Sequence, residues 1–142
     1  MPLFKKITAI ITSLLICTGF PAGCGKTKNL TDKDEAQKAV YRKASAEQAK
    51  KIMDQGNPYI LLDVRSEEEF KEERISGAIL IPVTEIGSRA ENELPNKDAL
   101  ILVYCRSGRR SASAANTLVS MGYTNVYDIG GIINWPYEII KN

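Results

Sequence analysis

Short unbroken apolar runs alternate along the chain with amphipathic, charge-rich stretches. Tyr59-Ile60-Leu61-Leu62-Asp63-Val64 is one such run and Ala99-Leu100-Ile101-Leu102-Val103-Tyr104 a second. Runs this long without polar alternation are the pattern of strands covered on both faces. Gly77-Ala78-Ile79-Leu80-Ile81-Pro82 predicts a short strand, and Asn125-Val126-Tyr127-Asp128 predicts the last one.

Between these runs the apolar spacing turns helical. Ser45 followed by Gln48 forms a capping box ahead of Ala49, Ile52 and Met53, and Gly56-Asn57-Pro58 stops the helix. Ser66 followed by Glu69 forms a second, with acids in the first turn where the helix dipole favours them. Further helices are expected over residues 84–91, from Ser111 to Met121 with Gly122 as the stop, and around residues 135–140. Strands alternating with helices predict an α/β fold, a parallel sheet with helices on both faces. Ligands of such sheets sit beyond the carboxyl ends of the strands, where Cys105 lies on one strand and Asp63 with Arg65 on another.

Composition narrows the function. With 142 residues, 44% hydrophobic and 25% charged, the chain holds one globular domain plus a leader or tail. The formal net charge of +2 includes Lys5 and Lys6, so without them 17 basic residues face 17 acidic ones and nucleic acid has no electrostatic basis as a partner. The chain has no histidine, which removes Cys-His and Ser-His nucleophile pairs. Its cysteines at 17, 24 and 105 make no zinc spacing, so neither a metal nor a cofactor is expected.

The amino terminus has its own pattern. Lys5 and Lys6 precede an uncharged apolar run from Ile7 to Cys17, too short for a comfortable membrane span, and residues 1–23 read as a signal peptide. Ala22 and Gly23 lead into Cys24, which resembles a bacterial lipoprotein signal, with Pro21 standing where that pattern has an aliphatic residue. Cys24 is then the expected lipidation site, residues 24–40 a polar tether, and residues 41–142 the folded domain. The expected location is the cell membrane facing outside the cytoplasm, through the lipid anchor, with a secreted or periplasmic protein as the alternative. Cleavage and lipidation leave Cys105 as the free thiol.

Cys105-Arg106-Ser107-Gly108-Arg109-Arg110 follows the second apolar run directly and precedes the helix-forming Ser111-Ala112-Ser113-Ala114-Ala115. The first turn of a helix presents unpaired N–H groups and partial positive charge, and arginines add more, so a cysteine here is expected to ionise readily. The alternatives are an inert cysteine on a tight basic turn, or an anion cradle in which the thiol is incidental.

Taken with Leu61-Leu62-Asp63-Val64-Arg65, Glu69-Phe70, Ile75-Ser76-Gly77-Ala78, Ile81-Pro82 and Gly130-Gly131 with Trp135, the cysteine run resembles a single rhodanese domain over residues 41–142. Arg74 stands where many members have histidine. The resemblance implies a rhodanese-like fold with a central parallel five-stranded sheet. It implies a thiosulfate sulfurtransferase in which Cys105 carries sulfane sulfur as a persulfide, from a small anionic donor to a thiol or cyanide acceptor, or to a protein acceptor. Arg106, Ser107, Gly108, Arg109 and Arg110 form the substrate-binding loop, Arg110 bracing it while Arg106 and Arg109 face solvent. Asp63 and Arg65 support it, and Gly77 and Gly130-Gly131 are turn devices. A non-catalytic sulfur carrier or partner-binding module is the alternative. A Cys-loop phosphatase or arsenate reductase fits less well, because four residues separate Cys105 from Arg110, one fewer than phosphatase loops carry.

Overall fold

The computed structural model describes residues 40–142; the signal segment, Cys24 and all but the last residue of the tether lie outside the described residues. The elements run β1 (Arg42–Lys43), α1 (Ala46–Asp54), β2 (Ile60–Asp63), α2 (Glu67–Glu72), β3 (Glu73–Ile75), β4 (Ile79–Leu80), α3 (Ile86–Glu93), β5 (Ile101–Cys105), α4 (Arg109–Ser120), β6 (Val126–Gly131) and β7 (Ile139–Lys141). Five strands form a wholly parallel sheet in the order β1-β6-β5-β2-β4. The two unalternating apolar runs supply its central pair, β5 beside β2, and two-residue strands close both edges.

Strand parity decides which way the site faces. On β5, Ile101, Val103 and Cys105 share one face, packed with Leu62, Val64 and Val126 beneath Ile86 and Ala90 of α3 and Ala114, Ala115 and Leu118 of α4. Leu102 and Tyr104 point the other way, into a cluster with Leu61, Ile75, Ile129, Ile132 and Ala49 of α1. Each fully buried Leu or Ile is worth about 1.5–3 kcal/mol, so the central strands make a firm base for the loop that follows β5.

Both capping boxes form: Ser45 Oγ accepts from the Gln48 N–H while Gln48 Oε1 accepts from the Ser45 N–H, and Ser66 and Glu69 repeat the pattern. The helix expected around residues 135–140 is not there. A 3-10 turn (Ile132–Asn134) is followed by β7, which pairs antiparallel with β3 through Glu73↔Lys141, Arg74↔Ile140 and Ile75↔Ile139. Ile139 and Ile140 are β-branched, and a partner 66 residues away in the chain outweighs the local helical spacing.

Gly130 and Gly131 end strand β6 instead of forming a separate turn. Register slips between Val103↔Asp128 and Tyr104↔Gly130, which bulges Ile129 and brings Gly131 opposite Cys105. Helix α3 begins at Ile86 and runs to Glu93, two residues later than its expected span. Helix α4 begins at Arg109, two residues before the expected start at Ser111, so Arg109 and Arg110 belong to the helix and the turn leaving Cys105 is Arg106-Ser107-Gly108.

Candidate active site

Cys105 ends the central strand with its side chain on the α4 face, and it is buried. The chain must reverse within three residues to enter α4. Gly108 makes the reversal at φ +100, a left-handed conformation that L side chains rarely adopt, and it is the N-cap of the helix. Its N–H donates to Cys105 Sγ at 3.0 Å. The sulfur therefore sits directly beneath the unpaired N–H groups of a helix start.

Burial pushes the Cys105 thiol up. The N–H groups of Ser111, Gly108 and Ser107 pull it down, and the net direction is below the ordinary thiol value. These short-range donors, rather than the guanidinium charges, supply the leading pull toward the anion. Arg106, Ser107 and Arg109 are exposed, Gly108 is half-buried, and all follow the sulfur in the turn and first helical residue.

Arg110 reaches away from the turn to Glu69 of α2, Nη1 to Oε2 at 2.6 Å and Nη2 to Oε1 at 2.8 Å. This bidentate pair fastens the start of α4 to the start of α2. Glu69 completes the α2 capping box at the same time by accepting from the Ser66 N–H at 3.1 Å. The Arg110 guanidinium holds the Glu69 carboxyl down at about 2.

Asp63 and Arg65 form a fully buried ion pair one strand over. Arg65 Nη2 lies 2.7 Å from Asp63 Oδ2, Arg65 Nε lies 3.0 Å from both carboxylate oxygens, and the Arg65 N–H donates to Asp63 Oδ1 at 2.9 Å. Arg65 also donates to the Glu73 carbonyl at 2.6 Å and stacks over Tyr104, the residue before Cys105. The pair ties β2 and β3 to β5, and neither member donates to the sulfur among the contacts of the described residues.

Two polar residues beside the sulfur carry no signal of their role in the sequence. Ser111 is fully buried, with Oγ 3.7 Å from Cys105 Sγ, 2.6 Å from Asp128 Oδ1 and 3.0 Å from the Gly108 carbonyl. Asp128 of β6 is buried as well, and its Oδ1 also accepts from the Gly130 N–H at 3.0 Å. Asp128 reads in sequence as the polar end of a strand; the bulge at Ile129 is what aims it beneath α4.

Gly131 closes the floor. A Cβ there would lie 2.3 Å from the Arg106 carbonyl oxygen and 2.6 Å from Ser107 Cα, so only glycine lets the turn lie on β6. A small polar pocket of 180 Å³ flanks the loop, lined by Arg65, Glu69, Glu72, Glu73, Arg106 and Ile133. A larger depression of 610 Å³, lined by Tyr59, Ile60 and Leu100 among others, lies at the amino ends of β2 and β5, the far end of the sheet from Cys105.

Residues 45–136 match the family described as Rhodanese-like domain. The thiosulfate sulfurtransferase PspE of Escherichia coli (strain K12) is 41% identical over 71 residues, which is 50% of this chain and 68% of that protein. The putative sulfur carrier protein YrkF of Bacillus subtilis (strain 168) is 37% identical over 92 residues, covering 64% of this chain but only 49% of that protein. A solved structure described as a rhodanese with anions from E. coli superposes with a TM-score of 0.56 at 35% identity, over 60% of this chain and 100% of that one.

Proposed function

Because the chain belongs to the rhodanese-like domain family, we propose that it is a sulfurtransferase whose nucleophile and sulfur carrier is Cys105. The observation that carries this reading is the sulfur held under the N–H groups of Ser107, Gly108 and Ser111 at the start of α4. A thiolate kept there needs no separate general base.

The thiolate of Cys105 attacks the outer sulfur of a donor such as thiosulfate. A new S–S bond forms, the donor's S–S bond breaks, and sulfite departs with the electron pair. The persulfide anion then extends into the space ringed by the same N–H groups, a preorganised electrostatic role. A cyanide or thiolate acceptor attacks the outer sulfur, takes it as thiocyanate or a new persulfide, and returns the Cys105 thiolate. Exposed Arg106 and Arg109 draw the anionic donor to the turn.

One relative is named a thiosulfate sulfurtransferase and another a putative sulfur carrier protein, which supports thiosulfate as the donor and a cysteine that holds the sulfur before passing it on. At the amino terminus, Lys5, Lys6 and the apolar run before Cys24 support export and lipid anchoring at Cys24. Mass analysis after thiosulfate exposure tests the main reading. One added sulfur at Cys105, released by cyanide with turnover and absent in Cys105→Ser, is the expected result. Turnover surviving in Cys105→Ser would end the assignment.

A further inference from the structure

Ser111 has one hydroxyl proton and four acceptors within reach. Asp128 Oδ1 is at 2.6 Å, the Gly108 carbonyl at 3.0 Å, the Gly130 carbonyl at 3.4 Å and Cys105 Sγ at 3.7 Å. The closest is also a carboxylate, and charge-assisted O–H···O bonds of this length are the strong ones. With the proton committed to Asp128, the hydroxyl turns a lone pair toward the sulfur. It then accepts from the Cys105 S–H and has nothing left to donate to a thiolate.

Asp128 adds its charge to this effect. It is buried, no salt bridge reaches it among the described residues, and its partners are the Ser111 hydroxyl and the Gly130 N–H. The other charges around the site are paired or solvated. Arg110 on α4 is held by Glu69 of α2, and Arg65 beyond β2 is held by Asp63. Lys43, opposite Asp128 on β1, is exposed, as are Arg106 and Arg109.

We propose that Asp128 is a positioning residue for Cys105: by holding the Ser111 proton it denies the thiolate a hydroxyl donor and keeps the cysteine from ionising too readily. This rests on the sulfur-transfer reading, in which one sulfur must both attack a donor and leave from its own persulfide. A thiolate that forms too easily leaves well but attacks poorly, and the best attacking thiol ionises near ambient pH. The N–H groups of α4 lower the barrier to ionisation, and the Ser111–Asp128 pair opposes them. Asp128 as a proton acceptor through Ser111 is the weaker alternative, since carboxylates are less basic than thiolates by about four powers of ten.

The test is the pH dependence of iodoacetamide alkylation at Cys105, followed by peptide mass analysis in the full chain. Asp128→Asn should lower the midpoint by about one pH unit, and reduce the limiting rate at high pH roughly threefold because a less basic thiolate is a weaker nucleophile. In a Ser111→Ala background the same substitution should shift the midpoint less, which a merely structural role would not produce. A midpoint unchanged or raised in Asp128→Asn overturns the proposal. Should that variant not fold, Ser111→Ala decides: removing a hydroxyl that accepts from the Cys105 S–H should lower the alkylation midpoint, and a raised midpoint overturns the proposal. Alkylation needs no sulfur donor, so this outcome is independent of whether Cys105 carries sulfur.

Discussion

Arg110 clasps both carboxylate oxygens of Glu69, at 2.6 and 2.8 Å, across 41 residues of chain. The pair lies between the turn at Cys105 and the first turn of α2, so it fixes where the helix start and its N–H groups sit. Glu69→Gln should keep the α2 cap, because Gln48 already fills the same role in the α1 capping box, while losing the charge. Folding holds the Glu69 carboxyl at about 2 against an ordinary 4.5. Its contribution is therefore complete above pH ~5 and disappears as pH falls toward 2. Urea unfolding should show Glu69→Gln less stable by about 1–2 kcal/mol at pH 7, allowing for partial solvent screening, with the difference vanishing in that acid window.

Gly131 and Gly130 are adjacent but answer to different constraints. A side chain at Gly131 runs into Arg106 and Ser107 backbone, whereas at Gly130 there is open space and only the φ of +85 to satisfy. Gly131→Ala should displace the turn and cost about 1–3 kcal/mol of overpacking, with the alkylation midpoint of Cys105 moving up as its N–H donors are misaligned. Gly130→Ala should cost about 1–2 kcal/mol of backbone strain and move the midpoint far less. Equal midpoints in the two variants would show that the floor of the turn does not position the donors.

What the sequence disclosed follows the range of the interactions involved. Strands β2 and β5 were legible because a strand buried on both faces needs no pattern beyond an unbroken apolar run. The two capping boxes were legible because donor and acceptor lie three residues apart. Strand β7 was not, since its reason to be extended is β3, far away in the chain. Cys105 announced itself through its neighbours in sequence, but Ser111 meets Asp128 only because a one-residue bulge re-registers β6 against β5. Glu69 was visible as a cap and invisible as the partner of Arg110.

Asp63 and Arg65 are buried together, so removing one leaves the other charged and unpaired. Asp63→Ala should destabilise the fold by about 3–5 kcal/mol in urea unfolding. Arg65 would lose its bidentate partner while still packed over Tyr104. Because the pair touches the strands and not the sulfur, the folded fraction of Asp63→Ala should alkylate at Cys105 with a midpoint close to that of the unsubstituted protein. A large shift of that midpoint would give the pair a direct part in the chemistry.

The ionisation of Cys105 is itself linked to folding. Burial disfavours the thiolate, while the N–H groups of Ser111, Gly108 and Ser107 favour it more, so the folded value lies below the ordinary 9.0. A group depressed by folding adds stability that is complete above its unfolded value and is lost as pH falls through the folded one. The stability of the protein relative to Cys105→Ala should therefore rise with pH between the alkylation midpoint and about 9, and be flat below that midpoint. Guanidinium titrations across this range, set against the alkylation profile of the same sample, measure both ends of the window. A stability difference independent of pH, with alkylation only in alkali, would show that the helix start does not hold the anion and that the turn is simply a basic surface bend.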